Sequence, residues 1–166
     1  MRELYITIEG FENYEVSNKG NVRNKTTKYI LKPWIDNKGY YMVSIYEKCK
    51  RKNKFVHRLI SEAFIPNPEN KPCVDHIDNN TLNNKIGNLR WCTYRENIWN
   101  TNIRKTNTSG IKGVSFCKTK KIWRARMMIK GQDIYLGCFI DKKDAIKARQ
   151  EASKKMFGEF TNQCEK

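Results

Sequence analysis

The sequence predicts an α+β protein assembled from small modules. At its centre stands a ββα core, and towards the C-terminus a three-stranded antiparallel sheet packs on one helix. Two observations carry this expectation. Residues 74–100 read VDHIDNNTLNNKIGNLRWCTYRENIWN: a short apolar run ending at Asp75 and His76, a polar loop over 78–84, then a second run, Leu89-Arg90-Trp91-Cys92. That is the pattern of two strands joined by a long loop. Further on, residues 123–129 alternate between apolar and basic side chains, the signature of a strand with one buried face.

Taken in order, residues 1–50 predict a β-rich module. A strand over 12–16 leads into Ser17-Asn18-Lys19-Gly20, a strong turn signal, and 21–23 leaves it. A second pair is expected over 30–33 and 40–46, joined by Asp36-Asn37-Lys38-Gly39. Residues 51–100 form the central module, opening with the basic run 50–54. Val56, Leu59, Ile60, Ala63 and Phe64 then recur at helical spacing, and Pro66 ends that helix because proline cannot continue it. Thr93-Tyr94-Arg95-Glu96 fits the capping box, in which threonine and glutamate satisfy each other's backbone N–H groups; a helix therefore starts there, with Asn97 one turn inside.

Residues 101–108 are polar and aperiodic and are expected to form a linker. In the last module, 109–166, strands are expected over 113–116, 123–129 and 134–139, followed by a helix from Asp141. Trp123, Ala125, Met127 and Ile129 should pack on that helix, leaving Arg124, Arg126 and Met128 on the open face.

The chain has 166 residues and a formal net charge of +16, which points to a polyanionic partner. Apolar runs are too short to cross a membrane, and the N-terminus lacks the apolar core of a signal peptide, so a soluble, intracellular protein is expected. The six cysteines show no Cys-x-x-Cys pair and there are only two histidines, which excludes a zinc ribbon or Cys₂His₂ finger. Free thiols of a reducing compartment are the expectation.

An aspartate and an asparagine oxygen are hard ligands of the kind Mg²⁺ takes, alongside water and phosphate. A neutral histidine beside them can accept a proton from water near pH 7. Alone, an Asp-His pair before a loop is more often a turn than a site; the capped helix bearing Asn97 is what turns the reading towards phosphodiester hydrolysis.

Residues 56–100 resemble the HNH (His-Asn-His) nuclease module of phage and intron-encoded homing endonucleases, through VHRL, AF, VDHIDNN and NLRW. The resemblance implies a ββα-metal core with His76 as general base, Asp75 and Asn97 holding one divalent metal, Mg²⁺ or alternatively Mn²⁺, and Asn88 tying the loop and orienting His76. His57, the first histidine of the pattern, reads as structural or substrate-facing rather than as a ligand. GFENYEVSNKGNVRN resembles the small module that accompanies such nucleases, either DNA-binding or a packing extension of the core.

Residues 109–160, through GIKGVSF, IWRARMMIKG, YLGCF and KMFGEF, resemble the plant Apetala-2/ethylene-response-factor DNA-binding domain. By that resemblance Lys112, Arg126 and Tyr135 contact DNA, joined by Arg124 from the strand alternation; Ser115, Cys117 and Asp133 depart from the family's arginines. The function expected is a homing-type DNA endonuclease, virus- or phage-encoded, with duplex DNA as partner and no membrane or obligate protein partner. A non-catalytic DNA-binding regulator and an RNA-binding protein are the alternatives.

Overall fold

The computed structural model describes residues 2–165, Gln163 by its backbone alone. Two compact units divide the chain, residues 1–97 and 98–166. Among the described residues no helix is long and apolar enough to cross a membrane.

In the first unit, β1 (Tyr5–Ile8), β2 (Phe11–Ser17) and β3 (Val22–Asn24) form an antiparallel sheet in that order. β4 (Trp34–Ile35), β5 (Tyr41–Glu47) and β6 (Lys50–Phe55) form a second, and α1 (Val56–Phe64) follows directly. The strand expected over 30–33 reduces to a single bridge from Ile30 to Arg23, and pairing resumes after Pro33, which has no N–H to give. β6 was hidden in the basic run because KRKNKF has no apolar alternation; its register, from Met42↔Phe55 to Glu47↔Lys50, is carried by β5. Lys48 and Cys49 turn this hairpin, both with positive φ (47° and 63°), the geometry usually given to Asn-Gly.

Val16, Val22, Val43 and Ile45 share one buried core with Val56, Leu59, Ile60 and Leu89. No core boundary therefore falls at residue 50, and the N-terminal strands complete the packing that a ββα core of this size lacks by itself. α1 ends as expected: the Ile65 N–H closes on Ser61 O at 3.0 Å and Pro66 stops the helix. β7 (Cys73–His76) and β8 (Leu89–Cys92) then form a two-stranded antiparallel sheet, and α2 (Tyr94–Trp99) follows it.

The second unit contains β9 (Val114–Cys117), β10 (Ile122–Ile129) and β11 (Gln132–Phe139), ordered β11-β10-β9, with α3 (Lys142–Phe157) packed across the sheet. The alternation holds along β10: Ala125 and Met127 are buried while Arg124, Arg126 and Met128 are exposed. Val114, Ala125 and Ala145 form the centre of its core. Gly113 has φ +69°, and a Cβ there would collide with the Arg126 carbonyl, so only glycine lets β9 start this close to β10.

Residues 98–108, expected in part as a linker, belong to this unit. Lys112 Nζ donates to Trp99 O (3.0 Å) and Thr101 Oγ1 (3.3 Å), and Asn162 Nδ2 donates to Asn100 O (2.6 Å) and Thr101 O (3.0 Å). Side-chain ties of this kind leave no periodicity for sequence reading to find. Arg149 Nη2 reaches Glu165 Oε1 at 2.7 Å in a buried ion pair beneath α3.

Candidate active site

The site grows out of the β7–β8 ladder, whose register pairs Cys73 with Cys92, Val74 with Trp91, Asp75 with Arg90 and His76 with Leu89. The cross-strand position puts Arg90 within reach of Asp75, and its Nε (2.9 Å) and Nη2 (2.7 Å) both donate to Oδ2. Asp75 and His76 are each 5% exposed. A carboxylate so buried needs a charged or strongly hydrogen-bonding partner, and Arg90 supplies it while fixing the carboxylate's plane. Burial pushes the nearby Cys92 thiol up to about 12, so it stays protonated and unreactive. The six cysteines form no disulfide among the described residues.

The loop after His76 is a lattice of asparagines around Asp78. Its Oδ1 accepts from the Asn80 N–H (2.8 Å) and Asn88 Nδ2 (2.8 Å), and its Oδ2 from Asn83 Nδ2 (2.6 Å). Asn88 closes the frame: Oδ1 accepts from the Asp78 N–H (3.1 Å), Nδ2 donates to Asn83 O (2.8 Å), and its carbonyl accepts from the Ile77 N–H (2.9 Å). Burial pushes the Asp78 carboxyl up, but bonds from Asn83, the Asn80 backbone and Asn88 outweigh it and hold the group below its ordinary value. The frame delivers Asn84, 7% exposed, whose Oδ1 lies 2.9 Å from His76 Nε2. The residue that meets the His76 ring is thus Asn84; Asn88, expected to orient His76, acts at one remove by holding the loop that carries Asn84.

Thr93 and Glu96 make the expected capping box: the Thr93 N–H donates to Glu96 Oε2 (2.6 Å) and the Glu96 N–H to Thr93 Oγ1 (3.3 Å). Asn97 stands exposed in the first turn, its N–H closing on Thr93 O at 3.1 Å. Among the described residues no group of three or more His, Cys, Asp or Glu side chains could hold a metal. The expected donors, one carboxylate on β7 and one amide oxygen on α2, would form an oxygen set instead. That set suits a hard divalent cation which keeps water and takes phosphate oxygens as further ligands, and it suits a soft metal poorly.

His57, the second residue of α1, is not remote from the site. Its ring centroid lies 5.2 Å from that of His76, 5.1 Å from Tyr40 and 5.4 Å from Phe55. Burial, helped by the charges of His76 and Arg58, lowers its pKa from the ordinary 6.5 to about 3, so it is neutral. Arg90, Asn84, Tyr40 and the placement of His57 all escaped the sequence reading. Only Arg90 left a signal, since aligning the two apolar runs end to end sets it opposite Asp75.

In the second unit Arg124, Arg126 and Tyr135 stand exposed on the open sheet face. Arg126 pairs in register with Tyr135 and reaches Asp133 Oδ2 at 3.3 Å; Arg124 Nη2 lies 3.1 Å from Cys117 Sγ. Lys112 lies just before β9. It is half-buried, its Nζ is engaged by Trp99 and Thr101 as described above, and burial lowers its pKa despite the Glu165 charge.

Residues 54–98 match the HNH endonuclease family and residues 3–46 the NUMOD4 motif. The DNA endonuclease I-HmuI of Bacillus phage SP01 is 36% identical over 116 residues, covering 69% of this chain and 67% of that protein. The chain belongs to the HNH endonuclease family. A solved structure of this family, describing DNA binding and cleavage by the HNH homing endonuclease I-HmuI, aligns over 94% of this HNH chain and 91% of its own, with a TM-score of 0.55 and 27% identity. An HNH endonuclease of Acanthamoeba polyphaga mimivirus is 43% identical over 93 residues. The chain spans less than a third of that protein (28%) and of a second mimivirus relative (29%).

Proposed function

We propose that the chain is a homing-type DNA endonuclease, virus- or phage-encoded, that hydrolyses phosphodiester bonds of duplex DNA. His76 acts as general base, Asp75 and Asn97 hold one divalent metal ion, Mg²⁺ with Mn²⁺ as substitute, and Asn88 braces the loop. The observation that carries this reading is the fixing of the two reactive side chains: Arg90 on Asp75, Asn84 on His76. Asn84 offers a carbonyl oxygen, so His76 Nε2–H donates to it and the basic lone pair falls on Nδ1. A histidine in that tautomer accepts the proton of a water attacking phosphorus. Arg90 holds the Asp75 carboxylate in one plane, and Asn97 adds a neutral oxygen from the first turn of a capped helix. When bound, the ion would stabilise charge on the phosphate and the leaving oxygen. One carboxylate already neutralised by an arginine is a weak trap, so millimolar metal should be required.

The second unit's open sheet face, an Apetala-2-like arrangement, is proposed to grip the duplex through Arg124, Arg126 and Tyr135; arginines on a sheet suit phosphates and guanine edges. Lys112, with its amine engaged internally, contributes to the fold of that unit first.

Nicking of supercoiled plasmid with and without Mg²⁺ is the test. His76→Ala should lower the rate by about 10²–10⁴-fold and leave DNA affinity within a few-fold, because a general base supplies rate rather than binding. Wild-type turnover in that variant would remove His76 from its role. No nicking by the unmodified chain, with Mg²⁺ or without it, would favour a binding protein.

A further inference from the structure

We infer that His57 is a positioning residue for His76, an inference that rests on the general-base role proposed above. The chain has only two histidines, and the fold stacks them together: their centroids are 5.2 Å apart with planes at 66°, an edge-to-face contact. Tyr40 touches both, at 5.1 Å from His57 and 5.9 Å from His76, and Phe55 backs His57 at 5.4 Å. These four rings come from the turn before β5, the end of β6, the start of α1 and the end of β7, so His57 is the centre of a cluster that joins the N-terminal strands to the strand bearing the base.

The geometry shows what the cluster does. A histidine side chain has two torsions to fix. The Asn84 bond at 2.9 Å holds one nitrogen but still permits the ring to swing about that bond. His57 and Tyr40 pack against the ring itself and remove that remaining freedom. His57 is 6% exposed and its Nδ1 is buried with no hydrogen-bond partner. A buried imidazole nitrogen left unsatisfied costs stability, and phenylalanine would fill the same slot without that cost. The flat ring, rather than a polar contact, is therefore the feature His57 contributes to the base. Misplacing a reacting group by about 1 Å costs on the order of 10²-fold in rate.

The test is single-turnover nicking of supercoiled plasmid by the full chain in Mg²⁺, with enzyme in excess, reading the maximal rate and the half-saturating enzyme concentration separately. His57→Ala should lower the maximal rate by about 10–100-fold while half-saturation moves less than about twofold. His57→Phe, which keeps a flat ring, should restore the rate to within about threefold of wild type. Tyr40→Leu removes the other ring wall from a different element and should repeat the rate loss, which covers the case in which His57→Ala does not fold. Wild-type rate in folded His57→Ala, or a His57→Phe variant that is folded but as slow as His57→Ala, overturns the inference. The outcome is distinct from that for His76: if His76→Ala keeps its rate the base assignment itself fails, whereas an insensitive His57 leaves the base in place and removes only its support.

Discussion

The β7–β8 hairpin and the β9–β11 sheet are both small antiparallel structures beside one helix, yet they are held by opposite means. The three-stranded sheet is held by packing. Ala125, Met127 and Val114 lie buried on one face, and the other face is left open with Arg124, Arg126 and Tyr135. The hairpin's Asp75 and His76 are held by polar locks: Arg90 on Asp75, Asn84 on His76, and the Asp78–Asn88 frame around the loop. A sheet stabilised from one side can leave a free surface for recognition. A site that must hold two side chains in a fixed geometry commits its polar groups to one another, and those groups cannot be exchanged without losing that geometry.

The largest effects should come from separating charge from geometry in the hairpin. Arg90→Met leaves a carboxylate that is 5% exposed without its ion-pair partner, so stability should fall by about 3–5 kcal/mol. The double variant Asp75→Leu/Arg90→Met removes both charges and should recover most of that loss, yet remain inactive. Thermal unfolding and plasmid nicking on the same preparations would show the split. A double variant that cleaves DNA would detach Asp75 from the chemistry.

The second unit has its own buried pair, which sharpens the contrast. Arg149 and Glu165 have side chains 6% and 0% exposed, and neither belongs to the open face. Glu165→Gln should destabilise that unit by a few kcal/mol, again because one buried charge loses its partner. Nicking at saturating enzyme should persist at temperatures where the unit stays folded. If Glu165→Gln abolished cleavage while folded, the division between a unit that cuts and a unit that holds would be wrong.

Much of this fold is legible in the sequence, and unevenly. α1, β7, β8, the capping box at Thr93 and all three strands of the last sheet leave periodic or positional signals, because apolar alternation and caps are local. β1 and β6 do not: β1 is four residues long and β6 is almost wholly basic, so both depend on a neighbouring strand for their pairing. The proposed site, Asp75, His76, Asn88 and Asn97, is drawn from residue types in the sequence. Its supports are not, because Asn84 and Tyr40 are brought to His76 by a loop and a turn whose course no spacing rule encodes. The apparent linker over 101–108 is the same case. Its ties run to Lys112 and to Asn162, which lies some sixty residues further on.

His57 gives the next effect in size. Its pKa drops from 6.5 in the unfolded chain to about 3 in the folded protein, so the unfolded state binds the extra proton between those values. Stability from this group is therefore complete above about pH 6.5 and is lost progressively as pH falls towards 3, with a slope of at most about 1.4 kcal/mol per pH unit. His57→Phe cannot take up that proton and should unfold less readily at pH 5 relative to pH 7.5 than the parent chain does. Denaturant midpoints at the two pH values measure it; identical shifts in both proteins would mean that His57 titrates normally and is more open than its surroundings indicate.

The smallest effect tests the open sheet face, and it separates recognition from fold. Arg124 and Arg126 lie on the exposed side of β10, so replacing both with alanine should leave thermal stability nearly unchanged. DNA affinity should nevertheless become less salt-dependent. Each phosphate that no longer meets an arginine reduces the slope of log K against log salt by about 0.9, and a change from two such phosphates should be resolvable over a fourfold range of salt. Asp133 supplies the control. It is 51% exposed and sits 3.3 Å from Arg126, an exposed pairing that adds little to stability, and its carboxylate repels phosphate. Asp133→Ala should therefore tighten binding at low salt, opposite in sign to Arg126→Ala, while leaving the fold intact. If both substitutions move affinity in the same direction, or neither moves it, DNA does not lie on this face, and the basic β6 hairpin of the first unit becomes the surface that follows the duplex.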